Sequence, residues 1–177
     1  IFVSIASYRD PELVRTVKSA IDNASKLNEI HFGLVIQDFD KEIPDLSWLK
    51  NANTIIMHPR EASGAGFARA KAMTLYSGQD YYLQIDSHTI FEKNWDVMCI
   101  NQLQKAQEIA KNKNIILSHF PPGFYVESNN SISYITKDKD KPPYATKQVP
   151  SLNKRNEWTA KRVELSDKNK SYPEVSS

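Results

Sequence analysis

One cysteine in 177 residues, Cys99, leaves no internal disulfide. It falls in a helical pattern, where a small core residue is expected, and a reducing compartment suits so thiol-poor a chain. Charge of one sign is also missing: the formal net charge of +2 offers no electrostatic footprint for nucleic acid or a membrane surface. No apolar run approaches the roughly 20 residues of a membrane span, and no signal-peptide pattern is visible. Glycine is scarce, five in all, so the pair Gly64 and Gly66 marks the one glycine-rich loop. There is no Gly-Lys-Ser/Thr of a Walker loop, no cysteine spacing for zinc, no His-Glu-x-x-His and no Ser-His-Asp order. Repeats and low-complexity blocks are absent as well. The chain opens on Ile1 inside a strand-like run and runs out at Ser177 in polar residues, so it is expected to be a piece of something longer, incomplete at its C-terminus.

What is present is ordinary globular composition, 40% hydrophobic and 25% charged, enough for one domain with a sizeable core. Residues 1–6 are apolar and β-prone. Ser7, Tyr8, Arg9 and Asp10 follow as a loop, with Asp10 as helix N-cap and Pro11 at the first helical position. Leu13, Val14, Val17, Ala20, Ile21 and Ala24 recur at helical spacing. Residues 31–37 and 54–57 read as strands, and Gly33 inside the first suggests a close backbone approach or a bulge. A helix over 67–76 follows the glycine loop, then a buried strand over 81–85. Asn94 can cap a helix over 95–111 whose apolar face is Val97, Met98, Ile100, Leu103, Ala106 and Ile109. Residues 115–118 read as another buried strand. Strands alternating with helices predict an α/β fold with a mainly parallel sheet flanked by helices over 1–130. Residues 131–177, alternating in short stretches around a charged turn, predict an antiparallel addition.

Three polar segments then fall at the carboxyl ends of strands, where open α/β sheets bind ligands. The first is 7–10, the second 60–66, the third Asp86-Ser87-His88. If the chain stays extended past Asp86, its carboxylate and the His88 imidazole face one point while Ser87 faces away. Such a pair suits a divalent ion, Mn²⁺ or Mg²⁺, with the imidazole favouring Mn²⁺. The Gly64-Ala65-Gly66 loop before a helix, flanked by Arg60 and Arg69, suits an anion. A metal beside an anion site fits a nucleotide diphosphate, with Arg9 and Asp10 near base or ribose. Plainer readings stand beside each: a solvated turn for Asp86 to His88, a flexible turn for the glycines, capping for Asp10, core for Trp95. His119 lies where a strand end can approach the metal, whereas His31 and His58 carry no partner pattern.

These residues resemble a known family. Ile5-Ala6-Ser7-Tyr8-Arg9-Asp10-Pro11-Glu12, Arg60-x-x-x-Gly64-x-Gly66-x-Ala68-Arg69 and Tyr82-Leu83-Gln84-Ile85-Asp86-Ser87-His88-x-x-Phe91-x-x-x-Trp95-Asp96 look like the GlcNAc-transferases of the hydroxyproline-polypeptide type. The similarity runs in order over roughly 125 residues, and the Asp-Ser-His element also looks like that of the polypeptide GalNAc-transferases. The resemblance implies a GT-A nucleotide-diphospho-sugar transferase fold. It implies a retaining transfer of GlcNAc from a UDP-sugar to a hydroxyl acceptor, a protein in the family's case, in the cytoplasm. Asp86 and His88 would hold Mn²⁺ (or Mg²⁺) on the diphosphate and act as the catalytic pair. Ser7, Tyr8, Arg9 and Asp10 would line the uracil and ribose pocket, and Arg60, Gly64, Gly66 and Arg69 would lie near the nucleotide-sugar. The resemblance fades after about Tyr125, and 131–177 is expected to hold, with the antiparallel addition, the start of an acceptor region. Two other readings remain open: a nucleotidyltransferase on a similar sheet, and a non-catalytic module of the same fold that only binds a partner.

Overall fold

The computed structural model describes residues 1–118, 121, 123–134, 146–152 and 158–164, with Asn28 and the last two spans described by backbone alone. By its internal contacts the chain divides into Ile1–Ile100 and Asn101–Ser177. In the first unit, β1 (Phe2–Tyr8), β2 (His31–Gln37), β3 (Ala52–Met57) and β4 (Tyr82–Asp86) form one parallel sheet in the order β3-β2-β1-β4. Helix α1 (Leu13–Asn23) joins β1 to β2, and α2 (Ala65–Met73) precedes β4. The expected α/β class with a parallel, helix-flanked sheet is what the first unit shows.

Side-chain parity decides what each face of the sheet meets. Val3 and Ile5 of β1 and Phe32, Leu34 and Ile36 of β2 point to the α1 face, where they bury Leu13, Val17, Ala20 and Trp95. The apolar spacing seen in α1 is therefore its core stripe. Val35 points to the other face, against Ala68 and Ala72 of α2. Phe2 on that same face stacks on Tyr82 and meets Tyr76 edge-on, with centroids 5.5 and 5.6 Å away. Its ring lies over Gly33, where a Cβ would come within 2.1 Å of the Phe2 ring tip. The close approach expected at Gly33 is thus the Phe2 ring packed over its Cα.

Ser4 shares that face, and its buried Oγ has no hydrogen-bond partner among the described residues. A buried hydroxyl without a partner opposes folding. Ser4→Ala is therefore expected to raise stability by about 1 kcal/mol, near 3 °C in Tm for a chain of this size. A fall in Tm on thermal denaturation would contradict this.

Several expectations need correction. Ser7 and Tyr8 still belong to β1, because both keep their ladder positions opposite Ile36 and Gln37. β4 is an edge strand, paired among the described residues only with β1, so Tyr82 and Gln84 are exposed rather than buried. Residues 115–118 form no strand: among the described residues nothing pairs with them, and Ile116 is 78% exposed. A run of three apolar residues, Ile115 to Leu117, cannot make a strand without a ladder partner. Helix α3 (Trp95–Ala110) buries Trp95, Asp96 and Ala106, but Met98, Cys99 and Ile109 of its expected core side are exposed. In the second unit, β5 (Phe124–Val126) with β6 (Ile132–Tyr134), and β7 (Thr146–Leu152) with β8 (Trp158–Glu164), form two antiparallel pairs. The charged turn expected over 137–141 lies outside the described residues.

Candidate functional site

The strand order reverses between β1 and β4, since β2 and β3 continue on one side of β1 and β4 lies on the other. Ligands of open α/β sheets bind beyond the carboxyl ends at such a reversal. The two segments that leave the sheet there are Arg9-Asp10 after β1 and Ser87-His88 after β4.

Asp10 joins them. Its Oδ1 accepts the backbone N–H of Glu12 at 2.9 Å in a turn ahead of the helix. Contrary to expectation, Asp10 is not the N-cap and Pro11 is not the first helical residue, because the regular helix starts at Leu13 with Glu12 at its N-cap. Its Oδ2 accepts Ser87 Oγ–H at 2.6 Å and meets His88 Nδ1 at 2.7 Å. Burial pushes the Asp10 carboxyl up, but the bonds from Ser87, His88 and Glu12, with the charge of His88, outweigh it and hold the group below the usual carboxylate range.

The rest of the turn is laced to α1. Buried Thr16 donates its Oγ1–H to the Ser87 carbonyl at 2.7 Å and accepts the Thr89 N–H at 2.9 Å. Ser19 Oγ accepts the Phe91 N–H, Trp95 Nε1 donates to the Ala20 carbonyl, and Asn94 N–H donates to the Asn23 carbonyl. Asn94 itself takes a left-handed φ of 62°, which asparagine tolerates. Its side chain accepts from Ser25 Oγ instead of capping α3. Asp96 completes the lacing: it is 2% exposed, and its carboxylate accepts the N–H groups of Ser25 and Lys26 just past α1. None of these roles was apparent in the sequence, where the partners lie about 70 positions apart and Thr16 and Ser19 are unremarkable helix residues.

This lacing breaks the alternation expected beyond β4. Leu83 and Ile85 face α1, so Asp86 faces the α2 side. There Arg69 Nη2 donates to Asp86 Oδ1 at 2.7 Å. The chain then bends, and Ser87 and His88 both turn to Asp10. Asp86 and His88 therefore have different partners and do not converge by simple alternation, and Ser87 does not point away from the cluster. Both Asp86 and His88 remain open to solvent.

Ser7, Arg9 and Asp10 line a cleft of about 370 Å³ with Pro11, Asp38, Phe39 and Glu42. Arg9, at a left-handed φ of 49°, sets its guanidinium 5.1 Å from the centre of the Phe39 ring. His58 meets that ring edge-on at 5.4 Å, while its Nδ1 accepts the Arg60 N–H to close the turn Pro59–Glu61. Asp38, Phe39 and Glu42 carry no motif; their position just after a second parallel strand is the signal that marks them. Tyr8 faces away from the cleft and is 54% exposed. Arg60, Gly64 and Gly66 are exposed, with no bond to Asp10, Asp86 or His88 among the described residues. Gly64 starts α2 at φ 87°, a conformation that favours glycine, whereas a side chain at Gly66 would meet open space.

The donor set can be tested against a divalent cation. His88 has Nδ1 held by a carboxylate and no bond at Nε2 among the described residues, the arrangement that orients a metal-binding imidazole. The second oxygen of Asp86, Oδ2, has no hydrogen bond among the described residues. No cluster of three or more His, Cys, Asp or Glu occurs among the described residues, and His119 lies outside them. A carboxylate and an imidazole, completed by substrate phosphates and water, are donor types that suit Mn²⁺, so the residue types present fit.

Residues 1–52 and 47–139 match a family model described as glycosyltransferase (GlcNAc). No curated protein and no solved structure gives a significant match. Among the described residues no helix is long and apolar enough to cross a membrane. The matched segments cover more than half of the chain, and with its parallel sheet and polar switch point the chain belongs to the GlcNAc glycosyltransferase family.

Proposed function

We propose that this chain is the nucleotide-sugar half of a GT-A glycosyltransferase of the hydroxyproline-polypeptide type, transferring GlcNAc with retention from UDP-GlcNAc to a hydroxyl of a protein acceptor. The observation that carries the reading is Asp10, whose carboxylate borders the cleft and also orients His88 at the sheet's switch point. The cleft offers an aromatic face at Phe39, a guanidinium at Arg9, and carboxylates at Asp10, Asp38 and Glu42. That set suits a flat base and ribose hydroxyls. Asp86 and His88 would hold Mn²⁺ or Mg²⁺, which when bound offsets the charge on the departing diphosphate. Thr16 and Ser19 keep the Asp86-Ser87-His88 turn in place, and Arg69 supplies positive charge on the α2 side of Asp86.

Titration calorimetry of UDP with and without Mn²⁺ tests the reading. Mn²⁺ is expected to tighten UDP binding at least tenfold, about 1.4 kcal/mol. His88→Ala is expected to abolish that gain. ATP should compete poorly, which separates this reading from a nucleotidyltransferase. A folded chain that binds UDP equally with and without Mn²⁺ refutes the proposed site and leaves a module that only binds a partner.

A further inference from the structure

We infer that Arg69 is an exchangeable stand-in for the cation: it occupies Asp86 in the free protein and transfers to a donor phosphate when a divalent cation takes that carboxylate. The inference rests on the nucleotide and cation reading above and adds to it a device that couples the two ligands. Arg69 Nη2 sits 2.7 Å from Asp86 Oδ1. Among the described residues neither side chain bonds to any other group, so the pair is self-contained. Parity on β4 puts Asp86 on the α2 side of the sheet, and Arg69 projects from the middle of the helix that covers that side.

The pair is built to part. The side chains are 40% and 59% exposed, and an exposed ion pair changes an equilibrium by about fivefold at most. A buried pair in this place would lock the carboxylate away from any cation. Guanidinium binds carboxylate and phosphate with the same planar fork of N–H donors, so Arg69 exchanges one for the other at little loss. Without an anion beside it, Arg69 has no better partner than Asp86, and a cation must compete with it. With a diphosphate present, Arg69 has a second partner and Asp86 is released. Nucleotide and cation therefore assist each other's binding, by the same factor in both directions.

The test uses the whole chain, titrated with Mn²⁺ alone, UDP alone, and Mn²⁺ at saturating UDP, as wild type and as Arg69→Met. Arg69→Met is expected to bind Mn²⁺ alone about three- to fivefold tighter and UDP alone more weakly. The factor by which UDP improves Mn²⁺ affinity is expected to fall about three- to fivefold. Circular dichroism confirms that the variant, altered at an exposed position, is folded. A rise in Mn²⁺ affinity with that factor unchanged signals through-space repulsion alone and overturns the exchange. Unchanged Mn²⁺ affinity overturns it too. If the wild type itself shows no Mn²⁺-dependent UDP binding, the underlying site reading fails, an outcome distinct from wild-type binding with an indifferent Arg69→Met.

Discussion

Asp10→Ala is expected to lower stability by about 3 kcal/mol and to weaken divalent-cation binding about 10- to 100-fold. The substitution orphans three donors at once: the Glu12 N–H, the Ser87 hydroxyl and the His88 ring N–H. Hydrogen bonds to a charged acceptor are worth about 1.5–3 kcal/mol each, and the Asp10 side chain is only 15% exposed, so water replaces them in part. The two effects separate in Asp10→Asn. Its amide oxygen still accepts the Glu12 N–H, but its NH₂ group faces His88 and draws Nδ1 into the acceptor role. A neutral ring then carries its proton on Nε2, the nitrogen a cation needs bare. Asp10→Asn should therefore keep most of the stability and lose the cation. Urea denaturation and Mn²⁺ calorimetry read the two quantities. Full Mn²⁺ affinity in Asp10→Asn would show that His88 is not oriented through Asp10.

Asp96→Ala is expected to lower stability by about 3–5 kcal/mol. Against a typical total of about 5–15 kcal/mol this is a large fraction. Asp96 is buried, and its two carboxylate oxygens take the Ser25 and Lys26 N–H groups at 2.9 and 2.8 Å. Alanine leaves both donors without their acceptor and removes one of the ties between the start of α3 and the end of α1. Asp96→Asn keeps one acceptor and should lose about half as much. A loss under about 1 kcal/mol in the urea midpoint of Asp96→Ala would mean that water or a local shift replaces the clamp.

Both carboxylates also predict how the protein meets acid. At Asp96 burial pushes the carboxyl up, and the backbone N–H groups of Ser25, Lys26 and Val97 outweigh it, so its pKa too lies below the ordinary value. A group whose folded pKa is depressed binds protons more readily when unfolded. Its contribution is therefore complete above the unfolded value near 4, and is lost as pH falls through the lowered folded value. Stability is expected to drop as pH falls below about 4, and the drop should flatten in Asp96→Ala and Asp10→Ala. An equally steep fall in both variants would place acid sensitivity in other groups.

Much of the fold was legible in the residues themselves. Alternation and β-branching marked the four strands of the first unit, and the 3.6-residue spacing of Leu13, Val17 and Ala20 marked the buried stripe of α1. Gly33 announced a close approach, which proved to be the Phe2 ring. The polar ends of β1 and β4 were identifiable as site segments because chain order alone puts them at carboxyl ends. Residues 115–118 and the outer side of α3 misled for one reason: an apolar pattern shows what a segment can bury, not whether a partner is there to bury it.

The residue types at the switch point, Asp10, Asp86, His88 and Arg69, were determined by sequence alone. Only the tertiary structure decided who holds whom. Local alternation governs direction only while the chain stays extended, and β4 ends at Asp86. Past that point the path is set by bonds spanning about 70 residues, from Thr16, Ser19 and Asp10 on or before α1, and they turn Ser87 and His88 to one carboxylate. Parity on the last strand residue sends Asp86 to the opposite side, to Arg69. Such long-range pairings have no signature in spacing, because they depend on how β1, β4 and α1 pack and not on where their residues fall in the chain.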